Sequence, residues 1–312
     1  MKIFDLHQDL LLYMRSREHY DQAEQTSWAM LEDSQVDLVC ATAFPDPLSA
    51  DQTDPAVNEL ITEDIEQYRD YVARCSTEWR FVMNATDLAR RERKLLMHIE
   101  GLNVWSGTPN DWQMLEKWYE LGLRSLGPWW NIDNALGGGT NSPERGLTNL
   151  GRELITWIEE RPLVLDLAHA SRQTFADIAA ITTRPLYVSH GNADTLCPSP
   201  RNYTDKQIRQ IAESDGVIGI FFSQMFTTGP APGTVQDTVR HITYLRDLIG
   251  IRHIALGSDF GGIVSGTLAG LASVADFPAV IEVLIQADYS TTDIEAITRQ
   301  NAERILRAHL SS

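Results

Sequence analysis

The chain has 312 residues, 43% of them hydrophobic, and a formal net charge of -17 at pH 7. That length allows one large α/β domain or two smaller domains. Such an acidic chain repels phosphate backbones and anionic lipid headgroups, so nucleic acid and membrane surfaces are excluded as expected partners.

The cysteines and the N-terminus indicate a reducing compartment. The chain has 3 cysteines and no CxxC pair, which is typical of free thiols rather than of a disulfide framework. The stretch MKIFDL (1–6) begins an apolar strand at once, with no signal-peptide pattern before it. No apolar run is long enough to cross a bilayer. We therefore expect a cytoplasmic protein.

Short apolar runs bounded by turn residues predict eight β-strands. In chain order they are KIFDL (2–6), VDLVCATAF (36–44), LLMHIE (95–100), GLRSLG (122–127), PLVLDLA (162–168), PLYVSH (185–190), GVIGIFF (216–222) and HIALGSD (253–259). Most of these runs are too apolar for a sheet with one solvated face. They favour the strands of a parallel sheet that is covered on both sides.

Amphipathic stretches between these strands predict helices. They cover 58–75, 111–122, 148–161, 171–181, 204–216 and 234–250. The alternation of strand and helix predicts a (β/α)₈ TIM barrel, forming a single catalytic domain over residues 1–312. An open doubly wound sheet is the alternative, but no glycine-rich nucleotide-binding motif follows any strand.

Metal-capable side chains stand at the C-terminal ends of five predicted strands, where the active site of such a barrel lies. They are His7, Asp9, Glu100, His169, His190 and Asp259. Imidazole combined with carboxylate suits Zn²⁺ or another divalent transition metal better than Ca²⁺ or Mg²⁺. Three histidines and three carboxylates are more ligands than one tetrahedral ion can take. They predict two divalent ions, which would generate a nucleophile and polarise a carbonyl.

Each of these residues has a simpler interpretation when it is taken alone. A histidine at a strand end is usually structural, and an aspartate there usually caps a helix. The metal site is favoured because the pattern recurs at the same end of several strands. In addition, His7 and Asp9 share strand parity and therefore point the same way, as does Asp5, which could support them.

Several quoted segments resemble the motifs of one family. They are DLHQDL (5–10), IEG (99–101), LVLDLAHAS (163–171), VSHGNADTLCPSPRN (188–202), ALGSDFGG (255–262) and QNAERIL (300–306). Together they resemble the membrane (renal) dipeptidase family, metallopeptidase family M19, within the amidohydrolase superfamily. The resemblance runs nearly from end to end of the chain, and the SH…PRN and GSDF segments are its most specific parts.

The resemblance implies a binuclear zinc TIM barrel that cleaves dipeptides with a metal-bridged hydroxide. By that resemblance His7 and Asp9 would bind one zinc ion, and Glu100 would bridge both ions. His169 and His190 would bind the second ion. The family also implies a possible homodimer.

Two further roles follow from the same resemblance. Asp259 would activate the bridging water and then protonate the leaving amine, as a general base and acid must. Arg201, in CPSPRN, would bind the C-terminal carboxylate of the substrate, because a guanidinium fork matches that group.

Three positions depart from the family pattern. Trp130 stands where the family has a histidine that contacts the substrate carbonyl, with Asn131 kept beside it; both are expected to line the substrate. Gly261 replaces an acid, and Gln8 stands in the first motif. Trp130 offers only an N–H donor and an apolar face. It leaves open an alternative substrate, such as an N-acyl amino acid, a lactone or a cyclic amide. A non-catalytic metal- or ligand-binding barrel is the remaining hypothesis.

Overall fold

The computed structural model describes residues 1–12, 24–44, 57–264 and 266–311. The chain divides into two compact units. The first comprises Met1–Val39 and Pro185–Ile305, and the second comprises Cys40–Arg184 and Leu306–Ser312. Within the described ranges, no helix has the length and apolarity that a membrane span needs.

All eight predicted strands are present, together with one short strand that was not predicted. They are β1 (Ile3–Gln8), β2 (Val36–Ala43), β3 (Trp79–Phe81), β4 (Arg93–Glu100), β5 (Leu123–Gly127), β6 (Val164–Leu165), β7 (Tyr187–Gly191), β8 (Val217–Ile220) and β9 (Ile254–Leu256). The unpredicted strand is β3. Its three residues are too few to show a hydrophobic period.

The six predicted helices are also present, and the structure adds others near both termini and one short helix after β8. They are α1 (Trp28–Asp33), α2 (Val57–Arg74), α3 (Pro109–Leu121), α4 (Asn149–Glu159), α5 (Arg172–Ile181), α6 (Asp205–Glu213), α7 (Gln224–Thr227), α8 (Val235–Ile249), α9 (Phe277–Gln286), α10 (Thr291–Glu295) and α11 (Asn301–Leu310). A π-helical turn joins the last two helices.

The strands of the first unit are parallel and lie in the order β1-β9-β8-β7. Asp5 on β1 is in register with Leu256 on β9, and Ile218 on β8 is in register with Ile254 on β9. Because the strands are parallel, their C-terminal ends lie along one edge. Residues that follow β1, β7 and β9 therefore come together at that edge.

Three buried phenylalanines pack against one another near this edge. Phe222, Phe260 and Phe277 are each at most 1% exposed, and their ring centroids lie 5.6 to 5.8 Å apart in edge-to-face contacts. Burial of each ring stabilises the folded chain by about 1.5–3 kcal/mol relative to an exposed ring. Phe260 follows Asp259 directly in the chain, so its burial fixes the backbone that carries that carboxylate.

In the second unit the parallel order is β6-β5-β4, with β3 paired to β4. Glu100 at the end of β4 is in register with Gly127 at the end of β5. Leu126 on β5 is in register with Leu165 on β6. The loops that follow these three strands thus start from the same edge of the second unit.

Candidate active-site residues

His7, Asp9 and Asp259 come together in the first unit because β1 and β9 are parallel neighbours. The Asp259 N–H donates to the His7 carbonyl at 3.0 Å, and the Asp9 N–H donates to the Phe260 carbonyl at 2.9 Å. The His7 Nε2 atom lies 3.5 Å from Asp9 Oδ2 and 3.6 Å from Asp259 Oδ1. All three residues are buried, and one possible ligand atom from each lies within 4.8 Å of the others.

This group fits a divalent cation. Asp9 Oδ1 is buried and, among the described residues, no hydrogen-bond donor reaches it. A buried carboxylate oxygen without a donor is costly unless an ion or a proton compensates it. Gly262 leaves room for the two carboxylates, since a Cβ atom there would lie 2.4 Å from Asp9 Oδ2 and 2.8 Å from Asp259 Oδ1.

His190, at the end of β7, joins the same unit of the structure. Its ring centroid lies 4.1 Å from that of His7. The Ser189 Oγ atom lies 2.8 Å from His190 Nδ1 and 3.5 Å from His7 Nδ1. A hydroxyl oxygen that accepts from Nδ1–H leaves the Nε2 lone pair for a metal. Ser189 was not predicted from the sequence as a partner of either histidine.

Asp5 is buried and forms several hydrogen bonds at this edge. Its carboxylate accepts from the Ser258 N–H at 2.8 Å, from the Ser258 hydroxyl at 2.6 Å and from Gln8 Nε2 at 2.6 Å. Gln8 in turn accepts from the Thr26 hydroxyl at 2.8 Å. Burial raises the pKa of Asp5 to about 6, against the hydrogen bonds, which lower it. Asp5 therefore ties β1 to the residue before Asp259.

Two of the predicted site residues have an unusual backbone conformation. The φ angle is 63° at His169 and 64° at Asp259. Left-handed conformations are uncommon for residues other than glycine, and many of them are found at functional sites, where the surrounding structure holds them. Periodicity and composition give no signal for such a conformation.

Glu100 and His169 come together in the second unit. The His169 Nε2 atom lies 3.2 Å from Glu100 Oε1. On the other side of the ring, Nδ1 lies 3.0 Å from Asn131 Oδ1 and 3.4 Å from the Thr140 hydroxyl. A donor bond from Nδ1–H to Asn131 presents Nε2 toward Glu100. Asn131 was predicted to line the substrate. In the structure its side-chain oxygen, Oδ1, contacts the His169 ring.

Trp130 flanks His169 in the same unit. Their ring centroids are 6.4 Å apart, and the indole also contacts Phe44, with centroids 5.4 Å apart. Trp130 is half-buried, whereas Phe44 is buried. The residue that replaces the family histidine thus presents an aromatic surface beside a candidate metal ligand.

Arg201 lies in the first unit and contacts the backbone of β7. It donates from Nη2 to the His190 carbonyl at 3.0 Å, and its guanidinium carbon lies 5.4 Å from the centre of the Phe221 ring. The side chain is buried, and no acceptor among the described residues reaches its Nε atom. The guanidinium therefore keeps donor capacity for an anion.

Gly261, the second departure from the family pattern, has a physical reason in this chain. Its φ angle is 96°, and a Cβ atom there would lie 2.4 Å from the Asp9 carbonyl oxygen. An acid at this position would push the backbone of Asp9 away. Glycine at 261 is therefore required by the close approach of the two backbones.

The family model of the membrane dipeptidases, peptidase family M19, matches residues 1–311. A protein of Klebsiella pneumoniae described only by its place in the pqqA 5' region is 35% identical over 80% of this chain and 96% of its own length. The dipeptidase aclJ of Aspergillus oryzae is 30% identical over 68% of this chain, which spans 50% of that longer protein.

Two solved structures resemble the whole chain. A dipeptidase, a metallopeptidase of family M19, has a TM-score of 0.87 and 25% identity, covering 100% of this chain and 99% of its own. A metallopeptidase of Rhodobacter sphaeroides with a phosphinate mimic of L-Ala-D-Ala has a TM-score of 0.86 and 25% identity, covering 99% of each chain. The predicted fold class, an α/β fold of the (β/α)₈ barrel type, is confirmed.

The fold and the His and carboxylate groups define a metal-dependent hydrolase. The chain belongs to the membrane dipeptidase family, peptidase family M19, and is a dipeptidase-like member of that class.

Proposed function

We propose that this protein hydrolyses the amide bond of dipeptides with two divalent metal ions. The histidine and carboxylate ligands favour Zn²⁺ as that metal. The observation that carries the proposal is the buried group His7, Asp9 and Asp259, in which Asp9 Oδ1 is reached by no hydrogen-bond donor from the described residues. His7 and Asp9 would hold one ion, and Glu100 would bridge to a second. That second ion would be held by His169 and His190, as the family resemblance implies.

Bound divalent ions would polarise the scissile carbonyl and lower the pKa of the attacking water. The residues of this chain would then move the proton. Asp259 would accept it from the water and return it to the leaving amine, so that amide and water become a carboxylate and an amine. Its left-handed backbone and the Phe260 anchor behind it hold the carboxylate in place for both transfers.

Substrate orientation would come from Arg201. Its buried guanidinium is already fixed by the His190 carbonyl and the face of Phe221. A preorganised guanidinium binds a carboxylate without paying the entropy of ordering a long side chain. The dipeptide mimic in the Rhodobacter sphaeroides structure supports a dipeptide as the substrate class.

Three sequence predictions stay predictions: a single catalytic domain over residues 1–312, a location in the cytoplasm, and a homodimer. Light scattering of the purified chain would test the last of these, because a dimer doubles the 35.1 kDa mass of one chain.

The test of the proposed function compares the wild type with Asp259→Asn after reconstitution with Zn²⁺. The wild type should cleave L,L or L,D dipeptides. The variant should lose at least about 100-fold in kcat, the usual size of a general acid–base contribution, while it keeps its metal. Full turnover by the variant would remove Asp259 from the proton transfer, and no turnover of any dipeptide by the wild type would contradict the proposal.

A further inference from the structure

The aromatic surface beside His169 is built from two residues of the second unit. The Trp130 and Phe44 ring centroids are 5.4 Å apart, and their planes are tilted by 53°. The indole plane is tilted by 37° from the ring of His169, at 6.4 Å between centroids. Trp130 is half-buried and keeps an exposed part. The largely apolar indole thus lies next to a candidate metal ligand.

This surface is held rigidly by its own backbone. The Thr140 N–H donates to the Trp130 carbonyl at 3.1 Å, and the Asn141 N–H donates to the Asn131 carbonyl at 2.9 Å. Gly139 passes so close that a Cβ atom there would lie 2.2 Å from the Trp130 carbonyl oxygen. Neighbouring contacts also fix His169, through Asn131 and Thr140. The backbone that carries the indole is therefore fixed, and the ring contact with Phe44 restricts the indole itself.

We propose that Trp130, backed by Phe44, selects substrates with an aromatic side chain on the residue that supplies the scissile carbonyl. This inference rests on the proposed function. The carbonyl carbon of the cleaved amide is bonded directly to the α-carbon of that residue. Its side chain is therefore one of the substrate groups that would lie close to the metal ligands, and Trp130 flanks one of those candidate ligands, His169.

The chemistry of the surface favours an aromatic group over a small one. A larger apolar side chain buries more surface against the indole. Offset or edge-to-face contact between aromatic rings adds to that gain. Together these effects correspond to about a tenfold or greater preference for a benzyl over a methyl side chain. An imidazole at position 130 would offer a polar, smaller face and would not give this preference.

The test uses binding of two phosphinate dipeptide analogues to the Zn²⁺-reconstituted full chain. The analogues carry either a methyl or a benzyl group on the residue that supplies the phosphinate in place of the carbonyl. Isothermal titration calorimetry of the wild type should give a Kd at least about tenfold lower for the benzyl analogue. Trp130→Ala and Trp130→His should bring the two Kd values within about threefold, and Trp130→Phe should keep part of the preference.

The matched control is Trp112→Ala, in which another half-buried tryptophan of the second unit is removed. It should leave the ratio of the two Kd values unchanged. Equal Kd values for the two analogues in a wild type that cleaves dipeptides would overturn this inference and leave the proposed function standing. A wild type that binds neither analogue and cleaves no dipeptide would contradict the proposed function, and the inference would fall with it.

Discussion

Asn131 Oδ1 lies 3.0 Å from His169 Nδ1, so the amide next to Trp130 sets the orientation of a candidate metal ligand. The ring is held between this amide and Glu100 Oε1, which lies 3.2 Å from Nε2. A hydrogen bond of this kind fixes the tautomer of a ligating histidine and raises its basicity.

Removal of that hydrogen bond should weaken metal binding. We expect Asn131→Ala to lower the Zn²⁺ affinity of the site that includes His169 by about 10- to 100-fold, the usual cost of losing such a partner. Asn131→Asp keeps an acceptor oxygen and should restore the affinity. Competition against a chelator of known affinity measures both variants. An unchanged affinity in Asn131→Ala would show that Asn131 does not support a metal ligand.

Gly262 should be intolerant of a side chain for a local reason. A Cβ atom there would meet Asp9 Oδ2 at 2.4 Å and Asp259 Oδ1 at 2.8 Å. We therefore expect Gly262→Ala to lose activity and metal together. Gly127→Ala is the matched control, because a Cβ atom there meets its nearest neighbour, a His98 ring carbon, at an ordinary 3.4 Å. Zinc content after reconstitution measures the difference, and a fully loaded Gly262→Ala protein would contradict the expectation.

The Asp5–Ser258 bond should contribute to stability. Ser258→Ala removes a buried donor at 2.6 Å from the Asp5 carboxylate and leaves that carboxylate with fewer partners. The free energy of unfolding should fall by about 1–3 kcal/mol, the cost of leaving a buried polar group without a partner. Ser311→Ala, at an exposed position, should change it by less than about 0.5 kcal/mol. Urea unfolding of both variants checks this, and equal losses would contradict it.

His241 should make the stability depend on pH. Its Nδ1 accepts from the Ala193 N–H at 3.2 Å, so its Nε2–H donates to the Thr227 carbonyl at 3.0 Å, and the ring is neutral. Burial is the main cause that lowers its pKa from 6.5 to about 4; Arg240 lowers it further, and the Thr227 bond and Asp237 raise it. The unfolded chain therefore binds a proton more readily between pH 6.5 and 4, and stability falls as the pH drops through that window.

The size of this effect can be isolated by substitution. By pH 4, the wild type should lose about 3 kcal/mol through this histidine. The raised pKa of Asp5 acts in the opposite direction below pH 6, so the two effects must be separated. The difference in unfolding free energy between His241→Gln and the wild type, measured by urea unfolding from pH 7.5 to pH 4, cancels the contribution of Asp5. A difference that does not change with pH would contradict a neutral, buried His241.

The sequence predicted the strands well because each is a short, nearly continuous apolar run. It did not predict α9 (Phe277–Gln286), whose sequence FPAVIEVLIQ has almost no polar face. Periodicity alone cannot distinguish such a run from a buried strand. The π-helical turn after α10 depends on the packing of its neighbours and leaves no pattern in the sequence.

The site was predictable only as far as the positions of its residues. The parallel strands explain why His7 and Asp9 meet Asp259, and that contact is present. The partners that orient the histidines, Ser189 and Asn131, could not be assigned, because hydrogen-bond geometry depends on tertiary packing. The left-handed backbones of His169 and Asp259 could not be assigned for the same reason.

The number of metal ions that the chain binds tests the proposed binuclear site most directly. After reconstitution with Zn²⁺ and removal of excess ion, elemental analysis should give about two ions per chain for the wild type. His7→Ala combined with Asp9→Ala should leave about one. A wild type that binds no ion, or that binds one ion unaffected by the double substitution, would contradict the proposal that this protein is a binuclear metallo-dipeptidase.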